Sequence, residues 1–174
     1  MNKEKKSVAI IGCGNMGSAI LKAIASSPRY SVSVYNRTKE KAIKVASGLN
    51  VQVLDNMEDA KNSDIVIIAT KPQTLKAIYP SLSSLNAGLF ISIAAGVKLS
   101  TLEENLKSKN CVRYMPNIAS SVKSSVTAVT YNDSLAEEKK KTALDIASLF
   151  GSAFYLEENL FSAFIGISGS AIAY

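Results

Sequence analysis

Short apolar runs alternate along this chain with stretches that place apolar residues every three or four positions. Ser7–Ile11 (SVAII) is a β-rich run that ends in Gly-Cys-Gly and reads as a buried parallel strand. From Asn15 to Ser26, the positions of Met16, Ala19, Ile20, Ala23 and Ile24 have helical spacing, and Pro28 follows the stretch. Tyr30–Tyr35 (YSVSVY) alternates as a half-buried strand does. Thr38 stands where an N-cap would open a helix over Lys39–Ser47, with Gly48 past its end. Val51–Leu54 predicts a third strand, Met57–Lys61 a short helix or turn, and Asp64–Thr70 (DIVIIAT) a strand ended by Pro72. A helix over Thr74–Leu82 and a strand over Leu89–Ala94 come next. Ser100 with Glu103 has the spacing of a capping box and predicts a helix over Thr101–Leu106. Strands are predicted at Cys111–Tyr114, Val126–Tyr131 and Ala153–Leu156, the last two separated by a helix over Leu135–Phe150.

Strands that alternate with helices require right-handed crossovers. The predicted fold is therefore α/β: a doubly wound, mostly parallel Rossmann-like sheet with helices on both faces, followed by the start of a C-terminal helical region. Residues 1–157 are expected to form the dinucleotide-binding domain. Residues 158–174 would open an incomplete helical domain, because Leu160–Tyr174 is apolar on every face and stops mid-pattern.

Composition narrows the chemistry. The 174 residues are 47% hydrophobic and 20% charged, which excludes a mainly disordered chain. Histidine is absent, so His-ligated metals, Ser-His-Asp triads and Cys-His dyads are excluded, and no metal site is expected. Two cysteines, Cys13 and Cys111, are too few for a disulfide scaffold. The net charge of +6 suits a polyanionic ligand. The aromatics do not interleave with the basic residues, so no nucleic-acid partner is expected. The apolar runs fall short of the roughly 20 residues that a membrane span needs, and the N-terminus lacks a cleavage pattern. The expectation is a cytoplasmic protein without a membrane partner.

Gly12, Gly14 and Gly17 spell G-C-G-N-M-G between the first strand and the first helix. The first glycine permits a sharp turn, the second lets a pyrophosphate approach the backbone amides, and the third lets helix and strand pack closely. The helix N-terminus then faces the phosphates. About 20 residues on, where an Asp or Glu would hold the ribose of NAD, stand Asn36, Arg37 and Thr38. A guanidinium grips a 2′-phosphate that a carboxylate would repel, so NADP(H) is favoured over NAD(H). The alternative is that Arg37 is a solvated loop charge and Thr38 only a helix cap.

These residues carry a resemblance to a known family. G-C-G-N-M-G-S-A-I, A-T-K-P-Q (Ala69–Gln73), S-I-A-A-G-V (Ser92–Val97), V-R-Y-M-P-N (Val112–Asn117) and G-I-S-G-S (Gly166–Ser170) occur in the order and spacing of pyrroline-5-carboxylate reductase. The resemblance implies an NADPH-dependent reduction of 1-pyrroline-5-carboxylate to L-proline, with a cyclic imine carboxylate as substrate and a homo-oligomer when full length. It implies that Ile11, Gly12, Cys13, Gly14, Asn15 and Met16 cradle the pyrophosphate, with Asn36, Arg37 and Thr38 at the 2′-phosphate ribose. Asn56 would lie on the adenosine side. Ala69, Thr70, Lys71 and Pro72, with Ile93, Ala94 and Ala95, would line the nicotinamide half. Met115, Pro116 and Asn117 would lie near the nicotinamide and the substrate entrance. Lys71 as a surface charge, Pro116 as a turn former and Met115 as core filling are the plainer alternatives for those positions.

Several positions depart from the family pattern. Ile118 and Ala119 stand where Thr-Pro is usual, and Ser162, Ile165, Ala171 and Ile172 where Asp, Thr, Gly and Pro are usual. They bear on the substrate half, and no residue is assigned a proton-transfer role. The chain as given is expected to bind NADPH and to reduce the imine poorly or not at all. The alternatives are a related Rossmann oxidoreductase, of the β-hydroxyacid dehydrogenase or NADP-linked F420 type, or a non-catalytic NADPH-binding paralogue.

Overall fold

The computed structural model describes residues 4–117 and 124–172. Ile118 and Ala119 lie outside the described residues, as do the side chains of Ala171 and Ile172. Eight strands form one sheet in the order β3-β2-β1-β4-β5-β6-β7-β8. They are β1 (Lys6–Ile11), β2 (Tyr30–Tyr35), β3 (Val51–Val53), β4 (Ile65–Ile68), β5 (Leu89–Ser92), β6 (Cys111–Asn117), β7 (Ser125–Tyr131) and β8 (Gly151–Tyr155). The first six are parallel, β7 runs antiparallel to β6, and β8 is parallel to β7. The helices are α1 (Asn15–Ala25), α2 (Lys39–Ala46), α3 (Pro72–Ser83), α4 (Leu99–Leu106), α5 (Glu137–Ala147) and α6 (Phe161–Ile172). The predicted doubly wound sheet is thus the observed one.

Each face of the sheet buries its own core. Val8, Ile10, Val32, Val34, Ile65, Ile67, Leu89 and Ile91 meet α1, α2 and α5 on one side. Ala9, Ile11, Val66, Ile68, Phe90 and Cys111 meet α3 and α4 on the other. The central strands are apolar at successive positions because both faces are covered. At the far end from the glycine turn, β1 and β4 are pinned reciprocally: the Ser7 N–H donates to the Asp64 carboxylate at 2.8 Å and the Asp64 N–H to Ser7 Oγ at 2.9 Å. The Tyr114 hydroxyl donates to the Ala143 carbonyl, and its ring meets Phe150 edge-on, which locks β6 to α5.

Some boundaries differ from those the sequence predicts. Pro72 does not merely follow a strand; it is the first residue of α3, where its missing N–H costs nothing. Thr38 occupies the N-cap position of α2 but makes no side-chain capping bond. The Ser100–Glu103 capping box does not form. Helix α4 begins at Leu99 behind Lys98, and Glu103 turns inward to Lys109 and Asn132. β8 begins two residues early, at Gly151 (φ +136°), where a Cβ would collide with the Ser125 backbone. Among the described residues, no helix is long and apolar enough to cross a membrane.

Candidate functional site: the rim of the sheet

Strand register puts the candidate residues on one rim. Ile11 pairs with Tyr35 and with Ile68, Ile68 with Ser92, and Ser92 with Arg113. These five positions share one level, and the chain leaves it at Gly12, Asn36, Ala69 and Ile93. The chain crosses from one face of the sheet to the other between β1 and β4, the switch point at which open α/β sheets build their ligand crevices. β6 does not stop there. Tyr114, Met115, Pro116 and Asn117 continue beyond the rim beside β7, an overhang of about 13 Å at 3.3 Å per residue. Asn56, after β3, is exposed and stands at the side away from that overhang, where its backbone N–H is bonded by Asp59 at 3.0 Å.

The glycine turn divides its tasks. Gly12 adopts φ +101°, and a Cβ there would lie 2.8 Å from the Ala69 carbonyl oxygen. Its N–H donates to the Tyr35 carbonyl at 2.8 Å, tying the turn to β2. Gly17 packs against Gly12 and Ala69. Gly14 is different: it has ordinary backbone angles (φ −67°) and, among the described residues, no atom within 4 Å of the Cβ it lacks. Internal packing therefore requires glycine at Gly12 and Gly17 but not at Gly14. Gly14 is also the N-cap of α1 and offers no side-chain cap, so the first-turn N–H groups are left for another acceptor. That is the arrangement a pyrophosphate oxygen satisfies.

Asn36 is committed to the backbone at both ends of its amide. Its Oδ1 accepts the Cys13 N–H at 3.2 Å, and its Nδ2 donates to the Thr38 carbonyl at 2.9 Å. It is a strut between the turn and the end of β2. Arg37 and Thr38 are exposed beside it, and Arg37 has no carboxylate partner among the described residues. The acidic neighbour on this side, Asp55, is held in an ion pair by Lys39. The Cys13 thiol, inside the turn, is pushed above its usual pKa by burial, with the Lys41 charge opposing.

At the β4 end, Ala69 donates its N–H to the Ile11 carbonyl at 2.8 Å. The next residue, Thr70, carries a buried Oγ1 without a hydrogen-bond partner among the described residues. Buried hydroxyls rarely stay unpaired, and this one lies where a polar ligand group would be bound. Lys71 is exposed at the N-cap of α3. Across the rim, the Ile93 N–H reaches the Ile68 carbonyl at 3.1 Å and the Ala94 N–H reaches Ser92 Oγ at 3.2 Å. Gly12–Met16, Asn36–Thr38, Ala69–Pro72 and Ile93–Ala95 thus stand on one edge, with Asn56 at one side and Asn117 at the top of the overhang.

Sequence reasoning missed one junction. Arg113, 5% exposed, donates to the Glu158 carboxylate at 2.5 Å, and its guanidinium lies over the Phe161 ring, 4.9 Å from the centroid. Arg113 stood inside the quoted V-R-Y-M-P-N motif, and a lone cation in an apolar strand was the signal that it needed a buried partner.

The fold has close relatives. Residues 7–96 match the family described as NADP oxidoreductase, coenzyme F420-dependent. A pyrroline-5-carboxylate reductase of Methanosarcina acetivorans is 35% identical over 98% of this chain and 66% of its own length. A solved pyrroline-5-carboxylate reductase from Coxiella burnetii superposes with a TM-score of 0.84 at 26% identity, covering 98% of this chain and 66% of that one. The Plasmodium falciparum pyrroline carboxylate reductase, solved with NADP bound, gives a TM-score of 0.80 at 27% identity, covering 99% and 66%. The chain therefore spans just under two thirds of the length of these relatives. The chain belongs to the family described as NADP oxidoreductase, coenzyme F420-dependent, and its sequence and fold group it with the pyrroline-5-carboxylate reductases.

Proposed function

We propose that this chain binds NADP(H) in preference to NAD(H) and forms the cofactor half of an NADPH-dependent reduction of 1-pyrroline-5-carboxylate to L-proline. One observation carries the reading: Gly14 stands bare in front of an uncapped helix turn, although none of the described residues packs against it. The name of the M. acetivorans relative and the NADP in the P. falciparum structure support the same assignment.

When bound, the dihydronicotinamide supplies hydride. The chain's own residues bind and orient. Backbone N–H groups from Gly14 to Gly17 hold the pyrophosphate, and Asn36 keeps the turn in place through the Cys13 N–H. Arg37 holds the 2′-phosphate, and Thr38 and Asn56 flank the adenosine ribose. Thr70, Ala94 and Ala95, with Met115 and Asn117 on the overhang, line the other half and exclude water. No side chain is assigned to move a proton, because a cyclic imine is readily protonated before it accepts hydride. Leu160, Ile165 and Ile167 are exposed around α6, which supports burial against a further copy in the whole protein.

Calorimetric titration tests the cofactor assignment. NADPH is expected to bind at least about tenfold tighter than NADH, and equal affinities would overturn it. Oxidation of NADPH that depends on 1-pyrroline-5-carboxylate, in a full-length protein carrying these residues, tests the substrate. Turnover of a β-hydroxyacid instead would overturn that part.

A further inference from the structure

We infer that Glu158 is a positioning residue that holds the nicotinamide side of the crevice in register with the β6 overhang, acting through Arg113 and Leu99. This rests on the proposed reading that Ile93–Ala95 and Met115–Asn117 flank the nicotinamide half.

The loop between β5 and α4 has no regular structure. Its near end is fixed by the bonds of Ile93 and Ala94 already described. It turns at Gly96, φ +72°. Its far end arrives at α4, where Lys98 provides no side-chain cap. The donor there, the Leu99 N–H, is taken by Glu158 Oε1 at 2.6 Å, from 59 positions along the chain. The same oxygen accepts Arg113 Nη1 at 2.5 Å.

One carboxylate oxygen therefore joins three elements: the far end of the 93–98 loop, strand β6 at rim level, and the turn that leads into α6. Arg113 is buried, and Phe161, the first residue of α6, lies under its guanidinium. A buried guanidinium demands its carboxylate, and a helix N-terminus favours an anion. Glu158 meets both demands from one position, so the loop and the overhang cannot shift independently. Arg113 occupies the level of Ser92, just below Met115. A displacement of this junction is passed directly to both walls.

The test compares the parent chain with Glu158→Ala, Glu158→Asp and Glu158→Gln. Each is titrated with NADPH and with adenosine 2′,5′-bisphosphate, which reaches only the adenosine half. Glu158→Ala is expected to weaken NADPH about tenfold or more and leave the bisphosphate within about twofold, since small misplacements are costly only where the geometry is used. Glu158→Asp keeps the charge but is a methylene too short to meet both donors; it shows the same split and serves if Glu158→Ala does not fold. Glu158→Gln keeps an oxygen for both donors but not the charge that Arg113 needs, and is expected to recover only part of the affinity lost in Glu158→Ala. Unchanged NADPH binding by the folded Ala or Asp variant, or equal loss of both ligands, would overturn the inference. A parent chain that binds the bisphosphate as tightly as NADPH would instead overturn the nicotinamide-wall reading beneath it.

Discussion

The carbonyl oxygen of Gly12 and the α-carbon of Gly17 face each other across the first turn of α1, and a methyl group on Gly17 would lie 2.6 Å from that oxygen. The neighbour is backbone and cannot swing aside. Gly17→Ala is therefore expected to destabilise the fold by about 2 kcal/mol through overpacking. Gly14→Ala meets no atom and no backbone strain. It should melt within about 0.5 kcal/mol of the parent and yet lose most of its NADPH affinity. Urea melts and cofactor titrations on the two variants separate fold from site. A Gly14→Ala protein that binds normally would remove the pyrophosphate from this turn.

How far the sequence carried this depends on whether the cause is local. β2 is bounded where its alternation ends, because the pleat alone sets that pattern. The Gly12–Gly17 turn and the Asn36–Thr38 corner were legible for the same reason. Ser100 and Glu103 misled because α4 starts earlier than their spacing implies: the Leu99 N–H is taken by Glu158, far along the chain, and Ser100 falls inside the first turn. Likewise, nothing near Gly151 announces that Ser125 will lie against it. The commitment of the Asn36 amide to two backbone groups, rather than to the ligand alone, also became visible only once β1 and β2 were side by side.

Arg37 is exposed and has no carboxylate partner among the described residues, so the contact proposed for it with a 2′-phosphate is solvent-exposed and screened. Arg37→Ala is expected to weaken NADPH about tenfold and leave NADH nearly unchanged. Raising the salt should narrow the gap between the two cofactors in the parent but not in the variant. Fluorescence titration of the reduced cofactors measures both effects, and equal losses for NADPH and NADH would refute the role.

Burial, with a smaller contribution from the charge of Glu103, pushes the Cys111 thiol from the ordinary 9.0 up to about 12. Below pH 9 the thiol is protonated in both folded and unfolded chains, and stability there does not depend on it. Between 9 and 12 the unfolded chain releases the proton first, so stability falls as pH rises. The full effect is on the order of 4 kcal/mol. Urea melts at about pH 8 and about pH 10.5 should show the parent losing more stability than Cys111→Ala across that interval. Identical slopes would show that the thiol titrates normally.

The strand that overshoots its neighbour has one further consequence. The Phe90 N–H donates to the Asn110 carbonyl, so even-numbered residues of β6 turn their backbone groups toward β5. Tyr114 closes the ladder with β5, and beyond it Pro116 turns its nitrogen to the side of β6 that no strand of the described residues pairs with. A non-proline residue at 116 would present a free donor there, an invitation to any foreign strand. The pyrrolidine ring withdraws that donor where its loss breaks no ladder bond. Pro116→Val should therefore leave the monomer folded but raise its tendency to stack into aggregates, read by light scattering over time.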